Sequence, residues 1–282
     1  MTLKNPPLSF FGNKARFRDQ FIEELEKRYD DTYTYVDLFG GSGFLSYLTK
    51  ITFPKARVIF NDYDYYINRL LNISSTNHLL RELKKICERN GFGDKQKVNP
   101  KTKAEMVNLI QKRFDNNLYV DLLTLCSRIL FSGSAFISWD KIKRAYYYNR
   151  FGTKEISEDR VIDYLIVLEE IDIRHCDYLE LFNEFKDKDK VVFFIDPPYL
   201  NTNCQTYQMN WLYTDFLKVL DLLKVKNWFY FTSSNSSIYY LIQWLDNSFN
   251  TGILSNASII ERKKRVNNIG KYTDYMIITT NP

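Results

Sequence analysis

The sequence predicts an α/β fold in which a mostly parallel β-sheet is covered by helices on both faces and interrupted by a mostly helical insertion. Short apolar runs typical of buried strands alternate along most of the chain with segments whose apolar residues recur at helical spacing. Residues 66–150 differ, because they are polar and lysine-rich and show no dominant β-alternation. We therefore assign residues 1–65 and 151–282 to a single α/β domain and residues 66–150 to the insertion.

The first part of the chain contains two predicted strands and two predicted helices. Helical spacing of Phe17, Phe21 and Leu25 predicts an opening helix. Apolar runs at 35–39 and 58–60 predict two buried strands, with a helix between them. Within the insertion, one amphipathic helix is predicted from the spacing of Met106, Leu109, Ile110, Phe114, Leu118 and Leu122.

After the insertion, helices and strands alternate again to the end of the chain. This order is typical of a sheet whose parallel strands are connected by helices. The predicted elements are a helix at 162–168, a strand at 191–195, a helix at 216–223, a strand at 228–232, a helix at 238–245 and a last strand at 275–280.

A short motif, Asp196-Pro197-Pro198-Tyr199, directly follows the predicted strand 191–195 and is the most informative feature of the chain. Neither proline has a backbone N–H and each fixes φ at about −65°, so the turn is stiff. It presents a carboxylate, an accepting carbonyl and a flat ring together. Such a set suits a planar group that carries an amine, for example a nucleobase. A strand-ending Pro-Pro turn with a surface tyrosine is the structural alternative.

A second motif, Gly-Gly-Ser-Gly at residues 40–43, lies between the predicted strand 35–39 and a predicted helix. Glycines let the backbone approach a nucleotide-like ligand closely, and the helix N-terminus offers free N–H groups. The spacing does not fit G-x-G-x-x-G and lacks the Lys-Ser/Thr of a P-loop, which disfavours a dinucleotide or ATP site. Asp62 follows the second predicted strand, where an acid can bind ribose hydroxyls.

Composition limits the class of protein. With 282 residues and 45% hydrophobic residues, the chain can bury one large core or two modest ones. No stretch approaches the roughly 18 apolar residues that a membrane span needs, and no signal-peptide pattern opens the sequence. The four cysteines are far apart and only two histidines are present, so we expect no metal site, and reduced thiols in a cytoplasm.

The net charge of +5 is concentrated in one region. Residues 81–103 contain eight Lys/Arg and three Asp/Glu, a local excess that suits a phosphate backbone. A solvated helix face followed by a loop is the alternative interpretation. A second basic cluster, at 262–265, is predicted to be either a hairpin loop that grips DNA or a set of charges that protects an edge strand.

Taken in order, these motifs resemble those of the Dam-type adenine-specific DNA methyltransferases, the alpha-class or D12 family. That family places a glycine motif before a DPPY motif, with its target-recognition segment between the two. Residues 7–14 resemble the family's N-terminal segment, which closes over the cofactor, and residues 176–178 resemble its acid-aromatic pair near the cofactor's adenine. Asn13 replaces a glycine usual in the family, and Phe10 stands where a tryptophan is common. The resemblance covers most of the chain and is thin from about residue 70 to residue 118.

The resemblance implies a Rossmann-like S-adenosylmethionine-dependent methyltransferase sheet with a helical target-recognition insertion. It implies S-adenosylmethionine as the cofactor and requires no metal. The positions that match the family's cofactor contacts are Phe10, Gly12, Lys14, Phe39, Gly40, Gly41, Ser42, Gly43, Asp62, Asp177, Tyr178 and Asp196.

The implied reaction is methylation of the exocyclic amine of an adenine that is flipped out of duplex DNA. Asp196 and the carbonyl of Pro197 would accept the amine hydrogens, in a turn that Pro198 stiffens, and Tyr199 would stack on the flipped ring. Recognition of the DNA sequence would belong to the insertion. The candidate DNA contacts are Lys84, Lys85, Arg128, Ser134, Lys141, Arg144, Asn149 and Arg150.

Two alternative functions stay open. The first is methylation of RNA or of the cytosine amine, although an Asp at position 196 favours adenine. The second is a non-catalytic nucleic-acid-binding protein that retains the fold, although that reading predicts an eroded glycine turn. We expect a monomer that acts on double-stranded DNA in a bacterial or phage-encoded, cytoplasmic setting, either alone or with a separate cognate endonuclease.

Overall fold

A seven-stranded mixed sheet forms the centre of the protein in the computed structural model, which describes residues 3–10, 12–131, 136–152, 155–199, 213–254, 257–265 and 271–279. The strand order is β3-β2-β1-β4-β5-β7-β6. The first five strands pair in parallel, and β7 runs antiparallel to both of its neighbours. The predicted α/β fold with a mostly parallel sheet is therefore confirmed. The strands are β1 (Thr34–Asp37), β2 (Arg57–Asn61), β3 (Asp172–Arg174), β4 (Val191–Ile195), β5 (Trp228–Ser233), β6 (Ala257–Arg265) and β7 (Lys271–Thr279).

Eleven α-helices are present among the described residues, preceded by a 3-10 turn at Ala15–Phe17. Helices that cover the sheet are α1 (Arg18–Arg28), α2 (Phe44–Thr52), α8 (Glu158–Leu168), α9 (Tyr178–Phe185), α10 (Tyr213–Leu222) and α11 (Ser237–Phe249). The remaining helices, which lie between β2 and β3 in the chain, are α3 (Tyr66–Leu71), α4 (Ile73–Arg89), α5 (Pro100–Asp115), α6 (Leu122–Ile129) and α7 (Trp139–Arg144).

The central strand β4 shows why the sheet is buried on both faces. All five of its residues are apolar and buried, as expected for a strand covered on both sides. Successive side chains point to opposite faces, so Phe194 joins the core with Phe21 of α1, whereas Phe193 joins the core with Phe182 of α9. Two cores of similar size thus hold the sheet in a fixed position.

A third hydrophobic cluster lies within the insertion. It joins α4, α5, α6 and α7 through buried residues that include Leu83, Met106, Cys126 and Ile142. Helix α3 differs, because Tyr66 and Leu70 pack into the first sheet core. Helix α3 therefore belongs physically to the sheet, and the independent packing of the insertion begins within α4.

The single helix predicted across residues 106–122 is wrong, because the chain forms two helices there. Helix α5 ends at Asp115, and Asn117 adopts a positive φ of 54°, which a helix cannot continue through. Helix α6 then begins after Asp121, whose side chain accepts a hydrogen bond from the Thr124 N–H at 3.1 Å. Leu118 lies in the turn between them and is exposed.

Two strands were not predicted, the three-residue β3 and the longer β6. The basic cluster at 262–265 lies inside β6, which is an edge strand of the sheet. Its position agrees with the edge-strand interpretation, and a contact of this cluster with DNA stays a prediction. No helix among the described residues is both long and apolar enough to cross a membrane.

Candidate active site

The carboxyl ends of β1 and β4 lie side by side and carry the two motifs found in the sequence. Asp37 pairs in register with Phe194, so Asp196 follows just beyond the end of β4. The Leu38 N–H donates to the Phe194 carbonyl at 3.1 Å and holds the two strand ends together. In open parallel sheets this edge is where ligands bind.

Close contacts require glycine in the turn at residues 40–43. Gly41 has a φ of +53°, and a Cβ there would lie 2.8 Å from the ring of Phe10. Gly43 has a φ of +69°, and a Cβ there would lie 2.9 Å from Phe60. Both positions combine a left-handed backbone with a contact that leaves no room for a side chain.

Hydrogen bonds from buried side chains hold the same turn, which leads directly into α2. Ser42 is buried, and the hydroxyl of Tyr164 donates to its carbonyl at 3.0 Å. Ser46, in the first turn of α2, donates to the Asp37 carboxylate at 2.9 Å. The result is a narrow backbone cradle between β1 and the N-terminus of α2.

Lys14 enters this edge from the N-terminal segment and pairs with Asp196. Its Nζ lies 2.5 Å from Asp196 Oδ2 and also donates to the Gly12 carbonyl at 2.5 Å. The lysine side chain is only 7% exposed and the aspartate 19% exposed, so this is a largely buried ion pair. In this structure the Lys14 ammonium group pairs with the Asp196 carboxylate, and its contact with a cofactor stays a prediction.

The environment of the two acids raises the pKa of each. Burial raises the pKa of Asp196 to about 6, and the positive charge of Lys14 limits this rise. Burial also raises the pKa of Asp37 to about 7, against the Ser46 hydrogen bond, and the charge of Asp196 adds to the increase. Perturbed carboxyl groups in a cleft are typical of functional sites.

The remaining residues of the DPPY turn are packed against the protein. Pro197 is buried, and Pro198 and Tyr199 are half-buried. The ring of Tyr199 lies 5.5 Å from Lys14 Nζ. The carboxylate and the aromatic ring of this turn therefore both lie close to the Lys14 ammonium group.

Asp62 makes hydrogen bonds within the protein that the sequence did not reveal. Its side chain is fully buried and accepts hydrogen bonds from the N–H groups of Tyr66 at 2.6 Å and Ile67 at 3.0 Å. The carboxylate thus caps α3, and burial raises its pKa to about 6. Its contact with a ribose stays a prediction, because the structure shows only the capping role.

The loop after β3 contains the other predicted cofactor contacts. Asp177 accepts from the Leu179 N–H at 2.8 Å and caps α9. Tyr178 is buried against Phe39, with ring centroids 4.8 Å apart. These contacts bring the glycine turn and the β3–α9 loop together at the same edge of the sheet.

Asn61 is a site residue whose role the sequence did not reveal. Its buried amide donates to the carbonyls of Leu38 at 3.1 Å and Cys176 at 3.0 Å, and its oxygen accepts from the Cys176 N–H at 3.2 Å. One side chain therefore joins the ends of β1, β2 and β3. In the sequence, its role is indicated only by the position of an amide at the end of an apolar strand, next to Asp62.

His175 and Tyr65 are two further residues at this edge of the sheet that the sequence did not indicate. His175 Nδ1 lies 2.8 Å from the Asp62 carbonyl, so this nitrogen carries the proton. Its ring stacks on the exposed Tyr65 at 5.2 Å and 15°. The pair lines the same edge of the sheet on the β2–β3 side.

The predicted DNA contacts occupy several parts of the insertion. Lys84 and Lys85 are exposed on α4, and Lys141 and Arg144 are exposed on α7. Ser134 lies outside the described residues. Lys84 also pairs with Glu88 at 3.8 Å, one turn along the same helix.

Arg128 and Arg150 are half-buried neighbours. The Arg150 N–H donates to the Arg128 carbonyl at 3.1 Å, and the Arg150 guanidinium donates to the Leu130 carbonyl at 3.2 Å. Burial holds the pKa of Arg128 below its usual range, and the charge of Arg150 lowers it further. Two adjacent cations are well suited to an anionic partner.

Asn149 lies inside the insertion rather than on its surface. It is 6% exposed, its amide donates to the Phe92 carbonyl at 2.7 Å, and its oxygen accepts from the Phe151 N–H at 3.2 Å. Its backbone N–H also donates to the Gln96 carbonyl at 2.8 Å, and its carbonyl accepts from the Lys95 N–H at 2.5 Å, which holds the lysine-containing loop 93–97. Exposed residues beside this loop include Tyr146, whose ring lies 3.5 Å from Lys97 Nζ.

No group of three His, Cys, Asp or Glu side chains that could hold a metal ion occurs in the part of the chain that the structure describes.

Comparison with known proteins agrees with the geometry of the site. Residues 10–268 match the D12 class N6 adenine-specific DNA methyltransferase family. The chain is 30% identical to a Haemophilus influenzae protein named "Putative methyltransferase", over 98% of this chain and 92% of that relative. It is also 24% identical to Modification methylase LlaI of Lactococcus lactis subsp. lactis, over 70% of this chain but 30% of that longer protein. The chain belongs to the D12 class N6 adenine-specific DNA methyltransferase family.

Proposed function

We propose that this protein transfers a methyl group from S-adenosylmethionine to the N6 amine of an adenine flipped out of duplex DNA. The observation that carries the proposal is the position of Asp196. It extends from the rigid DPPY turn at the end of β4, is paired with Lys14 at 2.5 Å, and lies beside the glycine turn that ends β1. A methyl acceptor and a methyl donor could thus meet at adjacent strand ends.

The residues at this edge fit S-adenosylmethionine. When bound, this cofactor supplies an electrophilic methyl group on a positively charged sulfur. Gly41 and Gly43 leave space for close backbone approach where a Cβ would collide with neighbouring rings. We propose that residues 40–43 hold the cofactor together with Phe10 and Tyr178, and that Asp62 supports this side of the site by capping α3.

Asp196 would act by position and charge. The amine of adenine is a weak nucleophile, because its lone pair is delocalised into the ring. Asp196 and the Pro197 carbonyl would accept the two amine hydrogens and direct the lone pair outward. Lys14 keeps Asp196 ionised against the effect of burial, so the carboxylate remains an acceptor at neutral pH.

Tyr199 would receive the flipped base. Extrusion of a base from the duplex costs roughly a few kcal/mol. Stacking on an aromatic side chain returns about 1–3 kcal/mol. Tyr199 is half-buried next to Lys14 and Asp196, which places its ring beside the acceptor groups.

The part of the insertion that packs independently of the sheet, from α4 to α7, would bind the duplex. Its exposed cations on α4 and α7 and the neighbouring Arg128 and Arg150 suit phosphate contacts. Lys97, which belongs to the basic run at 81–103, and Tyr146 add a cation and an exposed ring. Since one relative is named a modification methylase, we propose that the methylation belongs to a restriction-modification context, with a separate cognate endonuclease as a partner.

A methylation assay with labelled S-adenosylmethionine tests the proposed function. Unmethylated duplex DNA of mixed sequence, RNA and cytosine-rich DNA would be offered in parallel, and the modified base identified by mass spectrometry. We expect label in N6-methyladenine of DNA. The Asp196→Asn variant should lose about 100-fold or more in rate, comparable with the loss of one oriented catalytic group, while cofactor affinity changes little.

The matched control is Asp189→Asn, an exposed acid just before the opposite end of β4. This control variant should methylate at the native rate. Label in RNA or on cytosine would reassign the substrate, and native activity in Asp196→Asn would refute the role of the carboxylate.

A further inference from the structure

Three parts of the protein meet at one buried side chain, Arg69 of α3. Its helix packs against the sheet, and its guanidinium contacts both the N-terminal segment and α6 of the insertion. Its side chain is 6% exposed, and that of its partner Asp121 is 2% exposed. None of the functions assigned above uses this pair.

On one side, Arg69 fixes the segment that leads to the cofactor cradle. Its Nη2 donates to the Ser9 carbonyl at 3.1 Å. One turn earlier on α3, the Tyr66 hydroxyl both accepts from the Leu8 N–H and donates to the Leu8 carbonyl, each at 3.0 Å. Phe10 follows Ser9, and its ring lies against Gly41. The position of Phe10 therefore depends on α3.

On the other side, Arg69 fixes the start of α6. Its Nε donates to Asp121 Oδ2 at 3.0 Å, and its Nη2 donates to the Thr124 hydroxyl at 3.3 Å. Asp121 is the N-cap of α6, and the last turn of this helix contains Arg128, one of the proposed DNA contacts. A shift of α6 on DNA would therefore act directly on the guanidinium.

Burial makes this connection stiff. An exposed ion pair is screened and can rearrange, but separating a buried one leaves uncompensated charges. The planar fork of arginine also fixes the relative orientation of its acceptors, which a lysine ammonium could not do. Ser9 and Asp121 are therefore expected to move together.

We propose that Arg69 is a positioning residue that couples DNA binding by the insertion to the placement of residues 8–10 against the glycine turn that would hold the cofactor. This coupling rests on the proposed function, since it needs both a DNA ligand and a cofactor. It predicts that each ligand tightens the binding of the other by the same factor.

Calorimetry with S-adenosylhomocysteine tests the coupling. Its affinity would be measured with and without an unmethylated duplex that carries the target site mapped in the methylation assay. For the native chain we expect DNA to tighten this affinity by about 5-fold or more, the lower end of common allosteric couplings. In Arg69→Met and Asp121→Asn the ratio of the S-adenosylhomocysteine affinities with and without DNA should fall toward 1.

A matched control is Arg113→Met. Arg113 is also a buried arginine, but it joins α5 to Ser75 of α4 and does not reach the N-terminal segment. This variant should lose stability and keep the native ratio. If Arg69→Met does not fold, the double variant Arg69→Met with Asp121→Leu removes both buried charges and should fold without coupling.

Hydrogen exchange provides a readout that is independent of activity. Amides in residues 3–10 should exchange faster in Arg69→Met, or in the double variant, than in Arg113→Met. Unchanged exchange in Arg69→Met, together with the affinity ratio of the native chain, would overturn the coupling. The coupling would also be overturned if DNA did not change the S-adenosylhomocysteine affinity of the native chain. Absence of adenine methylation by the native chain would instead refute the proposed function, and the exchange data would still decide whether Arg69 holds the N-terminal segment.

Discussion

At the scale of single residues, the site is dominated by carboxyl groups that the fold has taken out of water. Asp37 and Asp196 end neighbouring strands, and both have pKa values raised by burial. Lys14 and Ser46 offset this effect from opposite sides. The ionisation of Asp196 therefore depends on a lysine from the N-terminal segment rather than on solvent.

The pH dependence of the reaction follows from this arrangement. Asp196 can accept hydrogens from an amine only when ionised, and its pKa is raised to about 6. Methylation should therefore be lost as the pH falls through about 6 and recover above it, which single-turnover rates from pH 5 to 8 would measure. The Asp37→Asn variant removes the neighbouring carboxyl, whose pKa is about 7. If the low-pH step disappears in that variant, it belongs to Asp37 and not to Asp196.

Gly41 gives a second prediction at this scale. Gly41→Ala places a Cβ 2.8 Å from Phe10 and keeps a left-handed backbone, so it should reduce cofactor affinity as well as stability. The left-handed conformation alone costs about 1–2 kcal/mol for a residue with a Cβ. Gly91→Ala is the control, since Gly91 has a φ of +75° with nothing within 4 Å of a Cβ. Thermal unfolding and cofactor titration of both variants separate strain from collision. Equal cofactor affinity in the two variants would contradict the proposal that residues 40–43 hold the cofactor.

At the scale of elements, the ends of β1, β2 and β3 are joined by Asn61. Asn61→Ala removes three hydrogen bonds, each worth about 1 kcal/mol, and leaves buried carbonyls unpaired. We expect a loss of about 2–3 kcal/mol in the free energy of unfolding, together with weaker cofactor binding. Asn77→Ala provides the comparison, because Asn77 is equally buried but bonds to Ile156 and Glu158, away from the strand ends. It should destabilise the protein without changing cofactor affinity. If both variants bind cofactor alike, Asn61 serves stability alone.

The elements also show what the sequence could predict. Strands such as β4 were predictable because a parallel strand buried on both faces is a continuous apolar run. Strand β3 was not, since it has three residues that include Asp172 and Arg174, and only its pairing with β2 makes it a strand. The break between α5 and α6 depends on the backbone conformation of Asn117, which helical spacing cannot reveal.

The candidate site was predictable to the extent that its groups lie next to one another in the chain. The DPPY turn and the glycine turn are contiguous motifs, and parallel topology explains why they meet. The hydrogen-bond partners of Asp62 and the Lys14–Asp196 pair depend on side-chain directions, and 182 positions separate that lysine from the aspartate in the sequence. Tertiary structure alone determines such contacts.

At the scale of the whole molecule, positive charge is separated from the acidic site. The cations of α4, α7 and the loop 93–97 lie in the insertion, whereas Asp37, Asp62 and Asp196 lie at the sheet edge. A duplex attracted to the insertion would thus be held next to the sheet edge, where Asp196 and Lys14 form an ion pair with no net charge. This arrangement favours approach of an extruded base, which is uncharged, to Asp196.

The salt dependence of DNA affinity tests this distribution. The logarithm of the association constant should fall linearly with the logarithm of salt concentration, by about 0.9 for each phosphate neutralised. Lys141→Ala, on the exposed face of α7, should reduce the magnitude of that slope by about 1 while changing all sequences equally. Lys224→Ala is the control, because Lys224 precedes β5 at the opposite edge of the sheet and pairs with Asp221. Fluorescence anisotropy from 50 to about 300 mM salt would measure both slopes. Equal slopes for the two variants would mean that the duplex does not contact α7, and the DNA-binding surface would then have to be sought elsewhere on the insertion.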